Sequence, residues 1–319
     1  IMQLPDPKWG FHGALFYADC GLNINPTADQ LAEIAVSTGR SYRMLTGDEV
    51  GSLLGWWIAV GNRRFNRGGA FAQSIVSGTM LEASKLPLTR WFMAMQLLSQ
   101  AKNNVAALEL RRQLGVSYPT AWLLKHKIMQ AMLQAESERH LHGRVELDDA
   151  YLGGERSGGK PGRGSENKVP FVLAVQTTDD GRPHQVCAAQ LPFRRSAIAE
   201  FCDAHLLRPL TVVSDGLDCF AAAARAGVHQ RIVTGGGKAS VALPEFASVN
   251  ILLGNLKTAI TGTYHAFKFA KYAPRYLAEF QFRFNRRYRM HAMLPRMLHA
   301  IVAADPFSTR LIRAPEVPC

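Results

Sequence analysis

The chain has 319 residues, 47% of them apolar and 19% charged, with a formal net charge of +12. That apolar share excludes a disordered chain and is enough for a sizeable core in one large or two to three small domains. A protein this basic is expected to meet a polyanion, and nucleic acid is the commonest. Cys20, Cys187, Cys202, Cys219 and Cys319 are scattered and form no C-x-x-C pair, which excludes a disulfide scaffold and a cysteine zinc site and fits a reducing cytosol. No apolar run is long enough to span a membrane. Residues 1–20 carry Asp6, Lys8 and Asp19 in place of a continuous apolar signal segment. A cytoplasmic protein with no membrane partner is the expectation. The chain begins at Ile1 in place of Met, which reads as a truncation.

Residues 1–75 have poor periodicity, many glycines and a basic patch at Asn62 to Gly69. They are expected to be loosely structured. From Leu86 to Ala101 apolar residues recur at helical spacing, with Pro87 and Thr89 marking the start. Val105 to Trp122 reads as a helix-turn-helix: a short amphipathic helix ends at Gly115, Val116 plugs the turn, Ser117 caps the next helix and Pro119 fits its first turn. That second helix, 118–135, carries Lys125, His126 and Lys127, which are expected to contact DNA. An ordinary helical hairpin would show the same degenerate pattern, and the net charge favours the DNA-binding reading.

Residues 143 to about 290 read as one α/β domain. Strands are predicted at 144–152, 169–177, 184–190, 210–214 and 229–234, and helices at 194–206, 217–226, 249–260 and 267–288. In the first strand Val145 and Leu147 alternate with Glu146 and Asp148, the period of a strand with one apolar face. Two adjacent acids, Asp148 and Asp149, fall near its middle. Acids rarely sit there unless paired or bound to a metal. Leu210 to Gly216 repeats the theme, an apolar strand ending in Asp215. Two strands that each deliver an aspartate point to a hard cation with oxygen ligands. Between the first two strands, Gly153 to Lys168 is rich in glycine and basic residues, a cationic loop beside the acids; Lys160, Arg163 and Lys168 are its candidate phosphate contacts. It lacks the Walker spacing. After Ala303 the chain is punctuated by proline and is expected to be irregular.

The segments LPLTRWFMAMQLLSQAKN, RVELDDAYLGG, TVVSDGLDCF, RIVTGGGKAS and VNILLGNLKTAITGTYHAFKFAKYAPRYLAEFQFRFNRRY resemble bacterial insertion-sequence transposases of the fifteen-ninety-five family, in its branch with an Asp-Asp-Asn triad. The matching segments run from about Gly78 to Tyr288, about two thirds of the chain. The resemblance implies an RNase H-like mixed sheet flanked by helices, preceded by a helix-turn-helix region and a diverged N-terminal segment. It divides the chain into a degenerate zinc-ribbon-type region (1–75), a helix-turn-helix DNA-binding region (76–140), a catalytic domain (141–292) and a tail (293–319).

Residue by residue, the resemblance implies that Asp148 and Asp215 are the two metal-binding aspartates, with Asp149 a neighbour and not a ligand. Counting backward from Gly262 to His265 puts the third ligand at Asn250 and the family's helix lysine at Lys257. Helix geometry agrees, because seven residues make two turns and place both on one face. Asn255 remains the rival for the third position. His265 and Tyr264 are implied as DNA contacts. The implied chemistry is phosphoryl transfer with two Mg²⁺ (or Mn²⁺) ions. The implied partner is double-stranded DNA, at terminal inverted repeats and target, bound by a homo-oligomer. One departure stands out. The family's N-terminal zinc ribbon has two C-x-x-C pairs, whereas residues 1–75 contain only Cys20, so no zinc is expected. The rival functions are an RNase H-like nuclease without strand transfer, a DNA-binding relative that has lost catalysis, and a phosphatase, which the charge and the lack of a nucleophile motif disfavour.

Overall fold

A computed structural model describes residues 76–154, 165, 167–233, 243–264 and 267–314. Within them the chain divides into two compact units, residues 89–288 with 307–314, and residues 76–88 with 289–306. No helix among the described residues is long and apolar enough to cross a membrane.

The larger unit begins with three helices: α1 (Leu88–Gln100), α2 (Ala107–Leu114) and α3 (Tyr118–Ser137). The turn between α2 and α3 follows the sequence closely. Gly115 closes α2 in the left-handed region at φ 62°, a conformation that costs glycine little. The Ser117 hydroxyl accepts from the Thr120 amide at 3.4 Å and starts α3, with Pro119 in its first turn. These helices belong to the same unit as the sheet that follows.

The sheet has five strands: β1 (Leu141–Leu152), β2 (Val169–Thr177), β3 (Pro183–Gln190), β4 (Leu206–Ser214) and β5 (Val228–Arg231). Their order is β3-β2-β1-β4-β5, with β1 central. The first three strands form an antiparallel meander, and β4 and β5 add in parallel on the other side of β1. The parallel step from β2–β3 back to β4 needs a crossover, and α4 (Arg195–His205) supplies it. α5 (Ala247–Tyr264) and α6 (Phe269–Phe284) follow β5. This is the mixed sheet flanked by helices expected from the sequence.

Both faces of the sheet are covered. On one, Phe171, Leu173 and Val175 of β2 pack with Val249, Leu252, Leu256 and Ile260 of α5 and Leu277 of α6. On the other, Val145 and Leu147 of β1 and Val172 of β2 meet Ile198, Phe201 and Cys202 of α4 and Phe220 of the helical turn Asp218–Arg225. The alternation in β1 therefore does not mark a single buried face. Glu146 is 1% exposed, because α5 lies over the side that the polar residues occupy.

The smaller unit holds α7 (Met293–Ala303), whose Met297 and Ile301 are buried; the Met80 amide donates to the Ile301 carbonyl at 3.2 Å. The stretch after Ala303 differs from its expected irregular form. Residues Thr309–Arg313 form a short helix, α8, in the larger unit, because the Ser308 hydroxyl caps it by accepting from the Leu311 amide at 3.3 Å.

Candidate active site

The register of β1 and β4 brings two aspartates together. Leu147 pairs with Ser214 across the parallel strands, so the next residues, Asp148 and Asp215, emerge side by side. One carboxylate oxygen each of Asp148, Asp149 and Asp215 lie within 4.8 Å of one another, and all three side chains are half-buried. By strand alternation Asp148 belongs to the α5 side of the sheet and Asp149 to the α4 side, yet both reach this point beside Asp215, where the pairing of β1 with β4 has ended. Sequence reasoning gave Asp149 no ligand role, and strand period alone does not reveal its proximity.

Three anions this close with little solvent repel one another. Burial pushes the Asp148 carboxyl up to about 6, with Asp149 and Asp215 adding to the rise. The Asp149 amide, which donates to Asp148 Oδ1 at 2.8 Å, and the positive charge of Lys257 oppose it. Asp215 Oδ1 accepts from the Leu217 amide at 2.9 Å, which sets the turn after β4. The remaining carboxylate oxygens form the all-oxygen, anionic donor set that suits Mg²⁺ or Mn²⁺.

Asn250 lies in the first turn of α5, half-buried, on the helix that covers the Asp148 side of β1. Lys257 lies two turns on, exposed, with its charge felt at Asp148. Asn255 is exposed.

The expected DNA contacts fare differently. Lys125 and His126 are each 1% exposed and are not surface contacts. α3 is buried nearly all round, with Leu124, Ile128, Met129 and Met132 packed as well, so its Lys-His-Lys run does not form a solvated face. The Lys125 ammonium donates to the Val105 carbonyl at 2.6 Å and to the Tyr264 hydroxyl at 2.5 Å. His126 packs against Trp122 at 4.1 Å and Tyr272 at 4.9 Å between ring centres. Burial pulls its imidazole down to about 3, so it is neutral. Tyr264 is also occupied, donating to Glu279 Oε2 at 2.7 Å. Lys127 and Lys168 are half-buried. Lys160, Arg163 and His265 lie outside the described residues. The described residues on either side of 155–164 meet: Asn167 Nδ2 donates to the Gly154 carbonyl at 3.3 Å. Gly153, at φ 83°, sits where a Cβ would lie 2.2 Å from the Asn167 carbonyl oxygen.

Comparison with known proteins finds two different families in two separate parts of the chain. Residues 140–285 match the family described as ISXO2-like transposase domain. An uncharacterized protein in transposable element ISH50 of Halobacterium salinarum is 28% identical over 160 residues, covering 45% of this chain and 51% of that one. Residues 1–53 match a second family, Phosphate acetyl/butaryl transferase. A phosphate acetyltransferase of Acetivibrio thermocellus is 33% identical over 87 residues, covering 27% of this chain and 25% of the enzyme. The chain thus spans a quarter to about half the length of these relatives. Among solved structures, a pre-cleavage Mos1 transpososome aligns over 96% of this chain at 11% identity with a TM-score of 0.25.

Proposed function

We propose that the chain, whose residues 140–285 match the ISXO2-like transposase domain, is the DNA transposase of a bacterial insertion sequence, cleaving and joining DNA by cation-assisted phosphoryl transfer. The observation that carries this reading is the meeting of Asp148 and Asp215 just past the last paired residues of the parallel strands β1 and β4, with Asp149 beside them.

In this reading Asp148, Asp215 and the Asn250 amide oxygen hold the divalent cations. Bound there, Mg²⁺ or Mn²⁺ supplies positive charge to the scissile phosphate and favours ionisation of the attacking hydroxyl. The chain's own groups do the rest. Asp148 and Asp215 concentrate negative charge where a cation must sit, and burial, with the neighbouring Asp149 and Asp215 charges adding to it, raises the Asp148 carboxyl. Lys257, exposed on α5, is free of strand packing and suited to a phosphate oxygen. Lys160 and Arg163 fall in the sequence between β1 and β2, Lys168 immediately precedes β2, and with Lys127 and His265 they are the proposed phosphate contacts. The net charge of +12 supports DNA as the substrate, in double-stranded form at the element ends and target, with a homo-oligomer engaging both.

The test uses the full chain with a duplex carrying the element end. Asp148→Ala and Asp215→Ala are each expected to abolish Mg²⁺-dependent cleavage while leaving duplex binding nearly intact. Normal cleavage by either variant would refute the site. Cleavage by the unaltered chain without joining of the cut end to a target duplex would reduce the reading to a nuclease.

A further inference from the structure

The acid two residues before Asp148 has a different use. Glu146 shares the α5-facing side of β1 with Asp148, but both of its oxygens are engaged inside the protein. Oε1 accepts from Arg144 Nη1 at 2.7 Å, and Oε2 accepts from the Val249 amide at 2.9 Å. Val249 is the residue immediately before Asn250. The same Arg144 guanidinium donates through Nη2 to the Glu245 carbonyl at 3.0 Å and through Nη1 to Thr177 Oγ1 at 3.3 Å on β2. One ion pair therefore grips the chain at Glu245 and at Val249, on both sides of Ala247, where α5 begins.

The first amides of a helix have no partner within it, and a carboxylate there is also favoured by the helix dipole. In α5 that partner comes from the strand carrying Asp148, and no side chain of the helix itself is needed for it. Ser248 adds a third hold, donating from its hydroxyl to the Gly181 carbonyl at 3.0 Å. A slip of α5 along β1 would break a buried charge-assisted bond and leave Glu146 Oε2 and the Val249 amide without partners.

We propose that Glu146, braced by Arg144, is a positioning residue for Asn250: it fixes the first turn of α5 to β1 so that Asn250 and Asp148 face the same cation. The proposal rests on the reading of Asp148, Asp215 and Asn250 as cation-binding residues. A neutral amide offers little charge to attract a cation, so its contribution depends on being held in place.

The experiment measures Mn²⁺ binding to the full chain by electron paramagnetic resonance, for the unaltered protein, Glu146→Gln, Asn250→Ala and the double variant, with thermal melts alongside. Glutamine matches glutamate in shape, but its NH₂ must face either Arg144 or the Val249 amide, donor against donor. Glu146→Gln is expected to weaken Mn²⁺ binding about 10-fold, the lower end for groups that orient a metal ligand. It is expected to speed hydrogen exchange at residues 247–250 and to have no further effect on Mn²⁺ binding in the Asn250→Ala background. Arg144→Lys keeps the charge but loses the forked contact. It should weaken binding in the same direction, and it serves if Glu146→Gln does not fold. An equal loss with and without Asn250 would show that Glu146 acts through Asp148 or overall stability, and would overturn the proposal. Unchanged binding in Glu146→Gln, with Asn250→Ala weakened, would overturn it alone. Unchanged binding in Asn250→Ala would remove the site reading, and the proposal with it.

Discussion

The Lys125 ammonium donates to the Tyr264 hydroxyl at 2.5 Å, tying the second helix of the helix-turn-helix to the far end of the helix that carries Asn250. Glu279 of α6 completes the group, 3.6 Å from the ammonium and accepting from Tyr264. The ammonium also lies 4.0 Å from the centre of the Tyr264 ring. Burial is the largest influence on Lys125, pulling it down to about 8, while the Glu279 charge pulls the other way.

Removing one member of such a group leaves a buried charge alone. Lys125→Met is expected to destabilise the protein by about 3 kcal/mol by stranding Glu279. That corresponds to a fall of roughly 10 °C in the melting midpoint. Lys125→Met with Glu279→Leu should recover most of the loss, because the pair is then replaced by packed apolar groups. DNA affinity well below the melting point should be unchanged. A Lys125→Met protein with normal stability and weak DNA binding would return this lysine to the surface role its sequence suggested.

The Asp148 carboxyl gives a pH prediction. Its folded value of about 6 lies above the ordinary 3.8, with burial the main cause. Between those values the folded chain keeps a proton that the unfolded chain has lost. The group's stabilising contribution to the cation-free protein is therefore present below about pH 4 and is lost as the pH rises through about 6. Asp148→Asn removes the buried charge. It should raise the stability of the chelator-treated protein near pH 7 by on the order of 2 kcal/mol, and this advantage should vanish near pH 4. Mn²⁺ binding needs the ionised carboxylate and should weaken below about pH 6. Calorimetry across this range checks both, and a variant no more stable than the unaltered chain near pH 7 would show that the acids do not strain the fold.

The strands were legible because each apolar run keeps its period and is bounded by turn residues. β2 is observed at Val169–Thr177, the predicted span, and α3 starts at Tyr118 as Ser117 and Pro119 indicate. The proximity of Asp148 and Asp215 was legible in part, since each ends or interrupts an apolar strand, although pairing between strands so far apart in sequence is not written in either one. The burial of Lys125 was not legible. Its partners, Val105, Tyr264 and Glu279, come from three separate segments of the chain, and periodicity along one helix cannot tell a solvated lysine from one enclosed by neighbours. Glu146 escaped notice for a related reason. A polar residue at alternate strand positions reads as solvent-facing until the helix covering that face is known.

The remaining positive charge should be felt as salt dependence. If DNA is held by phosphate neutralisation, six contacts would cost about 10³-fold in affinity between 50 and 200 mM salt. Lys160→Gln with Arg163→Gln should lower the slope of log affinity against log salt by about two, one per lost phosphate contact, and weaken all duplex sequences alike. An affinity that stays flat over this range would argue against a nucleic-acid partner.

Residues 1–75 lie outside the described structure, and the first 53 of them match Phosphate acetyl/butaryl transferase, a different family from the transposase domain. A structural zinc site takes about four Cys or His ligands in tetrahedral array. This segment offers His12 and Cys20, and no other residue of either type. Elsewhere, Cys187, Cys202 and Cys219 are buried, and burial pushes their thiols up to about 12, 12 and 11, which disfavours the thiolates zinc requires. The purified chain is therefore expected to carry no tightly held zinc, and a zinc-selective chelator should leave its melting midpoint unchanged. Metal-dependent cleavage should respond to Mg²⁺ or Mn²⁺ alone. With too few Cys and His in residues 1–75 for a zinc ribbon that could read the element's ends, cleavage should discriminate poorly between a duplex carrying the terminal repeat and a scrambled duplex of equal length. Elemental analysis finding one zinc per chain after dialysis would overturn the first expectation. Strong preference for the terminal repeat would overturn the second, and would mean that another part of the chain, with the helix-turn-helix as first candidate, reads the sequence.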